Sequence, residues 1–459
     1  MSIKPMKLMR RIGFCLLLAC SVAALDARAA ETNSNSLVWH QAVNRVDADL
    51  HGEPLWPLLE DIAHQTGWHI FVEPGTSRNA STKFQDLPQD DALRMLLGNL
   101  NFAFVPQTNG PDFLYVFTTR RENATRHVVV TNAAPRRVAN ELLVKLKPGA
   151  DIDALAKRLG AKITGRNDKL GLYRLLFENA DSTSAALGSL KGDSDVAAVD
   201  YNYIYDTPPT PQQMANAPVG SVSLTLNPPG DSGKIIVGLI DTPVQSLDGS
   251  LENFLLKQLS VTGDPYATGT DPTHGTAMAY TILEAIAQAS GGSTSAQILP
   301  VNVYESGETT TSWDVALGIQ TAVDNGATVL NLSLGGTGDS SVLDSVIQQA
   351  IAAGIPVFAA SGNSGGTAAT YPAAYTGVLA VTATQNGQIA SYADYGSFVS
   401  LAFPGASVIY LNGTAYLVQG TSVSTATATG VAAGNKDKLG WTWPQIEAAM
   451  QKKFTVPAN

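Results

Sequence analysis

The chain has 459 residues, 44% of them apolar and 15% charged, and a formal net charge of −10. That is the composition of ordinary globular domains, about two to four at this length, with enough core to fold without disulfide staples. The acidic balance and the lack of a basic block exclude nucleic acid as a partner.

Residues 1–29 read as a secretory signal peptide. Lys4, Lys7, Arg10 and Arg11 precede the apolar run 12–25, and Ala27-Arg28-Ala29 offers a small-x-small cleavage site. The run is too short to span a bilayer. Both cysteines, Cys15 and Cys20, lie in it, so a chain cut after Ala29 carries no thiol and no disulfide. The alternative is a lipid anchor, because Leu17-Leu18-Ala19-Cys20 resembles a bacterial lipobox with Cys20 as the lipid-bearing residue. Either reading places the protein outside the cytoplasm, periplasmic or secreted.

Segment 43–118 reads as one small α+β domain. Residues 46–50 alternate like a strand, and 54–66 show helical spacing in Leu55, Leu58, Leu59 and Ile62. Strands are predicted at 68–72 and 82–87, a second helix at 89–100, and a hairpin at 102–106 and 113–117. Leu50-His51-Gly52-Glu53-Pro54-Leu55 and Phe84-Gln85-Asp86-Leu87-Pro88 resemble the short N-terminal domain of secretin and TonB envelope proteins of Gram-negative bacteria. The resemblance implies a module that binds an envelope protein, and no chemistry. His40, His51, His64 and His69 share no metal-type spacing and read as solvated or packed.

Residues 119–138 read as a linker, and 139–205 as a second α+β domain with strands at 141–146, 171–177 and 196–205 and helices at 151–159 and 182–190. Leu142-Leu143-Val144-Lys145-Leu146-Lys147-Pro148-Gly149 and Val199-Asp200-Tyr201-Asn202-Tyr203 resemble the inhibitor-type propeptide of subtilisin-like proteases. That implies a folding chaperone whose last strand can lie in its own active cleft as an intramolecular inhibitor. The connector 206–220, with Pro208, Pro209, Pro211 and Pro218, is expected to be extended and exposed, and to be where a precursor is cut.

In segment 221–459 the texture changes. Residues 235–240 form an unbroken apolar run, the mark of a strand buried on both faces. Predicted helices (276–289, 313–325, 340–353) then alternate with strands (297–304, 328–334, 355–360, 378–384), which means a parallel sheet covered on both sides. Active sites in such sheets gather at the carboxyl ends of the strands. Asp241 follows the buried run directly, where a carboxylate can reach an imidazole while shielded from water. His274, in Thr273-His274-Gly275-Thr276, is the only histidine beyond His127, so any imidazole acid–base work in this segment falls to it. Gly275 is expected to leave its edge open to a substrate. Asn363 lies in a glycine-rich turn just past another buried strand, able to aim an amide at a carbonyl oxygen as it gains charge. Ser422, in Gly420-Thr421-Ser422, opens a helix whose free N–H groups and dipole favour an oxyanion. Taken singly, these residues also suit a turn, a helix cap or a glycine loop.

The order Asp241, His274, Asn363, Ser422 resembles the subtilisin-like serine proteases across residues 221–459. The resemblance implies an α/β fold, a subtilisin-like parallel sheet with helices on both faces, preceded by the two small α+β domains. It implies Ser422 as nucleophile, His274 as general base and then acid, Asp241 as orienter, and an oxyanion hole of Asn363 and the Ser422 N–H. Ser333, Leu334 and Gly335 would pair with an extended polypeptide substrate, and Ala360, Ser361 and Gly362 would line a roomy, uncharged pocket. Pro243 stands where the family usually has glycine, and Ser424 and Ala426 where it has alanine and proline. No cofactor is implied; structural calcium is not readable, with acidic loops at Asp264 and Asp271 the only hint. The rival function is a weakly active or inactive envelope scaffold on the same fold.

Overall fold

The computed structural model describes residues 36–457 apart from 41–43, 74, 107–111, 129–134, 216–219, 231–232, 265–266, 268 and 306–308. Residues 1–29, expected to form a signal peptide, and with them Cys20 lie outside the described residues. The chain forms two units, one comprising residues up to Thr66 with Ser77–Leu100, the other Gly67–Thr76 with Asn101 onward.

In the first unit the antiparallel sheet runs Ser36–His40, Arg45–Pro54, Asn79–Pro88. Strict alternation buries Val46, Ala48 and Leu50, and helices Leu55–Thr66 and Gln89–Leu97 bury Leu58, Leu59, Ile62, Leu93, Leu96 and Leu97. Segment 43–118 thus contributes to both units. Its strands His69–Val72, Asn101–Val105 and Phe113–Phe117 belong to the second, where Arg126–Val128, within the expected linker, pairs with His69–Val72.

Residues 137–206 form an antiparallel sheet with two helices. Ile152–Leu159 starts at Asp151, whose Oδ1 accepts the N–H groups of Asp153 and Ala154, and stops at left-handed Gly160. Ala180–Leu190 starts in a capping box at Asn179. The strand Lys162–Asn167 has no clear alternation in sequence and was not predicted. The last strand, Val196–Asp206, lies between Arg137–Leu146 and the short strand Thr309–Thr311, so the sheet runs on into the following domain.

That domain is built on parallel strands in the order Leu259–Ser260, Gln297–Asn302, Ile236–Asp241, Val329–Leu332, Val357–Ala360, Leu379–Gln385, with Leu401–Pro404 parallel to the last and Gln388–Ile389 antiparallel to it. Its central strand explains the apolar run. Val237 and Leu239 face the core shared with helices His274–Ser290 and Thr421–Leu439, whereas Ile236 and Ile240 face helices Ser312–Asp324 and Ser341–Ala352. Both faces are covered, so no polar position is left in the run. A hairpin, Ala406–Leu411 with Thr414–Gln419, delivers the chain to Gly420.

Candidate functional site

Asp241, Ser333 and Asn363 follow three neighbouring strands of the sheet at their carboxyl ends, and His274 and Ser422 open the two helices packed against its face. Asp241 and His274 are 1% and 3% exposed, which places their contact out of water. His274 Nδ1 lies 2.8 and 3.0 Å from the two oxygens of Asp241, and Asp241 Oδ1 also accepts the N–H of Thr242. A carboxylate accepts only, so Nδ1 is the nitrogen that carries a proton here, which in the neutral ring puts the lone pair on Nε2.

Gly275 differs from expectation. A Cβ there would lie 2.2 Å from the Thr242 carbonyl oxygen, and its N–H donates to Thr242 Oγ1 at 2.8 Å. The glycine lets the helix start close against the end of the Asp241 strand, and opens no path to a substrate.

Ser422 is brought to the same strand ends, but its hydroxyl donates to the Ser333 carbonyl at 3.1 Å, not to His274. Behind it Ser333 Oγ donates to the Ser422 carbonyl, Asn331 Nδ2 donates to Ser333 Oγ, and Thr429 Oγ1 donates to Asn331 Oδ1. Sequence reasoning missed this buried network. Its signal was an asparagine inside the otherwise apolar Val329-Leu330-Asn331-Leu332. Ser333 and Leu334 are buried, and of the expected substrate-pairing residues 333–335 only Gly335 is partly exposed.

Asn363 Oδ1 accepts the Thr421 N–H at 2.9 Å and the Thr421 hydroxyl at 3.1 Å. The two donors fix the amide's orientation, so Nδ2 is the free end, one residue from Ser422. Gly420, at φ 144° and ψ 169°, turns the chain into the helix in a region that only glycine adopts readily. Ser424, one of the departures, donates to the carbonyls of Phe403 and Pro404, and Ala426 is fully buried in the core. The helix head is tied to the sheet without proline.

The Val196–Asp206 strand reaches this region from outside the catalytic sheet. Asp200 Oδ2 accepts the Ser341 N–H, and Asn202 Oδ1 accepts the Trp313 N–H and the Ser312 hydroxyl, so two helix N-termini are capped by one strand. Tyr205 is buried over Gly336, where a Cβ would meet its ring at 2.9 Å, and its hydroxyl donates to the Gly338 carbonyl at 3.3 Å. Further on, Gln212 and Gln213 pair antiparallel with Leu417 and Tyr416, so the exposed connector is also a sheet edge. Among the described residues no group of three or more His, Cys, Asp or Glu is placed to hold a metal ion.

Comparison with known proteins accords with this geometry. Residues 232–456 match the subtilase family model, and 123–202 match the fervidolysin N-terminal prodomain. Thermitase of Thermoactinomyces vulgaris is 35% identical over 202 residues, which cover 43% of this chain and 72% of thermitase. The chain belongs to the subtilase family. A thermostable alkaline protease of Halalkalibacterium halodurans is 38% identical over 165 residues, 35% of this chain and 46% of that protein. M-protease of Shouchella clausii is 36% identical over 205 residues, 43% of this chain and 54% of the relative. The chain thus spans about half the length of these last two. Fervidolysin of Fervidobacterium pennivorans shares the fold, with a TM-score of 0.54 at 20% identity over 68% of this chain and 57% of its own.

Proposed function

We propose that the protein is an exported serine endopeptidase that hydrolyses peptide bonds through an acyl-enzyme and is made as a self-processed precursor. The observation that carries this is the buried Asp241–His274 pair, with Nδ1 held by both carboxylate oxygens. It keeps the imidazole in the tautomer that takes a proton at Nε2 and stabilises the imidazolium once formed. Ser422 Oγ, turned from the Ser333 carbonyl toward Nε2, attacks the scissile carbonyl and gives its proton to His274. His274 then protonates the leaving amine, and water repeats the sequence to release the acyl group. The Asn363 Nδ2 and the Ser422 N–H receive the oxyanion. The backbone of residues 333–335 pairs with the polypeptide substrate by strand addition, with Ala360, Ser361 and Gly362 beside its side-chain pocket. This chemistry uses side chains and water and calls for no cofactor.

The prodomain is read as chaperone and intramolecular inhibitor, supported by the capping of two helices by Asp200 and Asn202 and by the seat of Tyr205. Export rests on the basic and apolar amino-terminal sequence, toward the periplasm or medium of a Gram-negative-type cell, with a lipid anchor at Cys20 as the alternative. The amino-terminal segment is read as a secretin/TonB-like module that binds an envelope protein. Its strand–helix–strand–strand–helix–strand–strand order from Arg45 to Phe117 supports that reading.

Mass spectrometry of the signal-less chain beside a Ser422→Ala variant tests the proposal. Cleavage within residues 206–220 in the first only, with labelling of Ser422 by a serine-directed phosphonate, is expected. An intact, unlabelled wild-type chain would return the protein to the scaffold reading.

A further inference from the structure

Asp394 is a carboxylate that the proposed mechanism does not use. It is 2% exposed, and the groups that hydrogen-bond it are all neutral. Its Oδ1 accepts the N–H groups of Ser364 and Gly366, each at 2.9 Å, and the Ser364 hydroxyl. Oδ2 fills the space where a Cβ on Gly362 would sit, 2.1 Å away, and Gly362 itself has φ +108°. Its backbone is engaged as well. The Asp394 N–H donates to the Gly362 carbonyl at 2.9 Å, and its carbonyl accepts the hydroxyls of Ser361 and Thr382 at 2.8 and 2.7 Å.

These contacts enclose one object, the 361–366 turn, and that turn carries Asn363. On its other side Gly362 N–H donates to Thr421 Oγ1 at 3.2 Å, and Asn363 Oδ1 holds the Thr421 N–H. Left to itself, a turn rich in Gly and Ser has many conformations, and freezing one costs about 1–2 kcal/mol per residue. Successive N–H groups converging on one anion make a concave nest that selects a single conformation. Burial opposes the charge and pushes the carboxyl up to about 6, whereas the Ser364 hydroxyl and the amides of 364–366 pull it back. An uncharged partner at this position would hold the turn less firmly.

We propose that Asp394 is a positioning residue for the oxyanion site, its carboxylate fixing the 361–366 turn and through it the aim of the Asn363 amide. The proposal rests on Asn363 being the oxyanion donor. It deepens that reading by naming what holds the donor in place.

A double-mutant cycle tests it. Asp394→Asn, Asn363→Ala and the double variant are prepared as full chains and cut at the connector in trans by tagged wild-type enzyme, which is then removed. The kcat and KM of each are measured on succinyl-Ala-Ala-Pro-Phe p-nitroanilide. Asn363→Ala is expected to lower kcat about 100-fold, the usual loss for one oxyanion donor. Asp394→Asn should lower kcat about 10-fold at unchanged KM, and by less than twofold once Asn363 is already alanine. Ser364→Ala, a milder change that keeps Asp394, should give a smaller kcat loss with the same non-additivity, and covers the case in which Asp394→Asn folds poorly. An equal factor in both backgrounds, a rise in KM in place of a fall in kcat, or wild-type kcat in both Asp394→Asn and Ser364→Ala would overturn the proposal. Wild-type kcat in Asn363→Ala would overturn the oxyanion reading itself.

Discussion

The buried carboxylate at Asp394 should make the catalytic domain less stable as pH rises, and replacing it should reveal by how much. Burial lifts its folded-state pKa to about 6 from the ordinary 3.8. The folded state therefore binds the proton more tightly than the unfolded one. Stability from this group is fully present below pH 3.8 and is lost as pH rises through about 6. A shift of about two units corresponds to roughly 3 kcal/mol between the two limits. For a domain of this size that is a difference of about 6–12 °C in melting temperature. The comparison is best made in the Ser422→Ala chain, which cannot digest itself, with and without Asp394→Asn. The asparagine lacks the titration, and any constant loss of hydrogen bonding cancels when the two chains are compared across pH. Measured by calorimetry at pH 3.5 and 7.5, the variant should gain on its parent by several degrees at the higher pH. A difference that does not change with pH would refute the reasoning. The paired expectation, a less active but relatively more stable enzyme at neutral pH, is the trade that a positioning charge in a dry site imposes.

Three further perturbations have definite outcomes. The connector pairs through Gln212 and Gln213 with the strand that leads into the Ser422 helix, and Pro208 and Pro209, which lack an N–H, stand just ahead of that pairing. Pro208→Ala with Pro209→Ala should speed precursor cutting at least severalfold by mass spectrometry, and an unchanged rate would count against cutting at these prolines. Gly420→Ala forces a side chain into a conformation costing about 1–3 kcal/mol and places its Cβ 3.4 Å from Asn363 Nδ2. It should lower kcat more than 10-fold as well as the melting temperature, and a loss of stability alone would separate the turn from the oxyanion site. Ser424→Ala removes the hydroxyl that bonds the Phe403 and Pro404 carbonyls and should cost about 0.5–1.5 kcal/mol in urea unfolding, with kcat within twofold of wild type.

The sheet and the ends of its strands were legible because both carry strong local signals. A strand covered on two faces cannot hide its apolar run, and a solitary histidine in a catalytic segment has no competitor. What stayed illegible was set by partners distant in sequence. Nothing in Ala393-Asp394-Tyr395 announces a carboxylate that will be buried beneath a turn some thirty residues earlier, and nothing around Gln212 announces a strand that will pair with residues beyond 410. The hairpin Ala406–Leu411 with Thr414–Gln419 and the strand Lys162–Asn167 were missed for a related reason. Their burial is uneven, so neither shows the alternation that marks a half-buried strand. Gly275 was misread because a glycine before a helix suggests openness, whereas here it answers to a backbone oxygen 33 residues away.

The departures at Ser424 and Ala426 can be read in the same physical terms. Proline near the start of a helix supplies a preset φ and gives up an N–H that would have no partner there. In this chain the head of the Thr421–Leu439 helix is held from outside. Asn363 takes the Thr421 N–H, Gly420 N–H donates to the Gly405 carbonyl, and the Ser424 hydroxyl is anchored at the end of the Leu401–Pro404 strand. A start fixed by three tertiary contacts does not need its first turn fixed by a ring. One of those contacts ends on the 361–366 turn that Asp394 holds, and another on the Leu401–Pro404 strand, whose neighbour Leu379–Gln385 bonds the Asp394 backbone carbonyl through Thr382. The serine is therefore placed from two sides, by Ser424 in its own helix and by the turn held on Asp394, 28 positions before it.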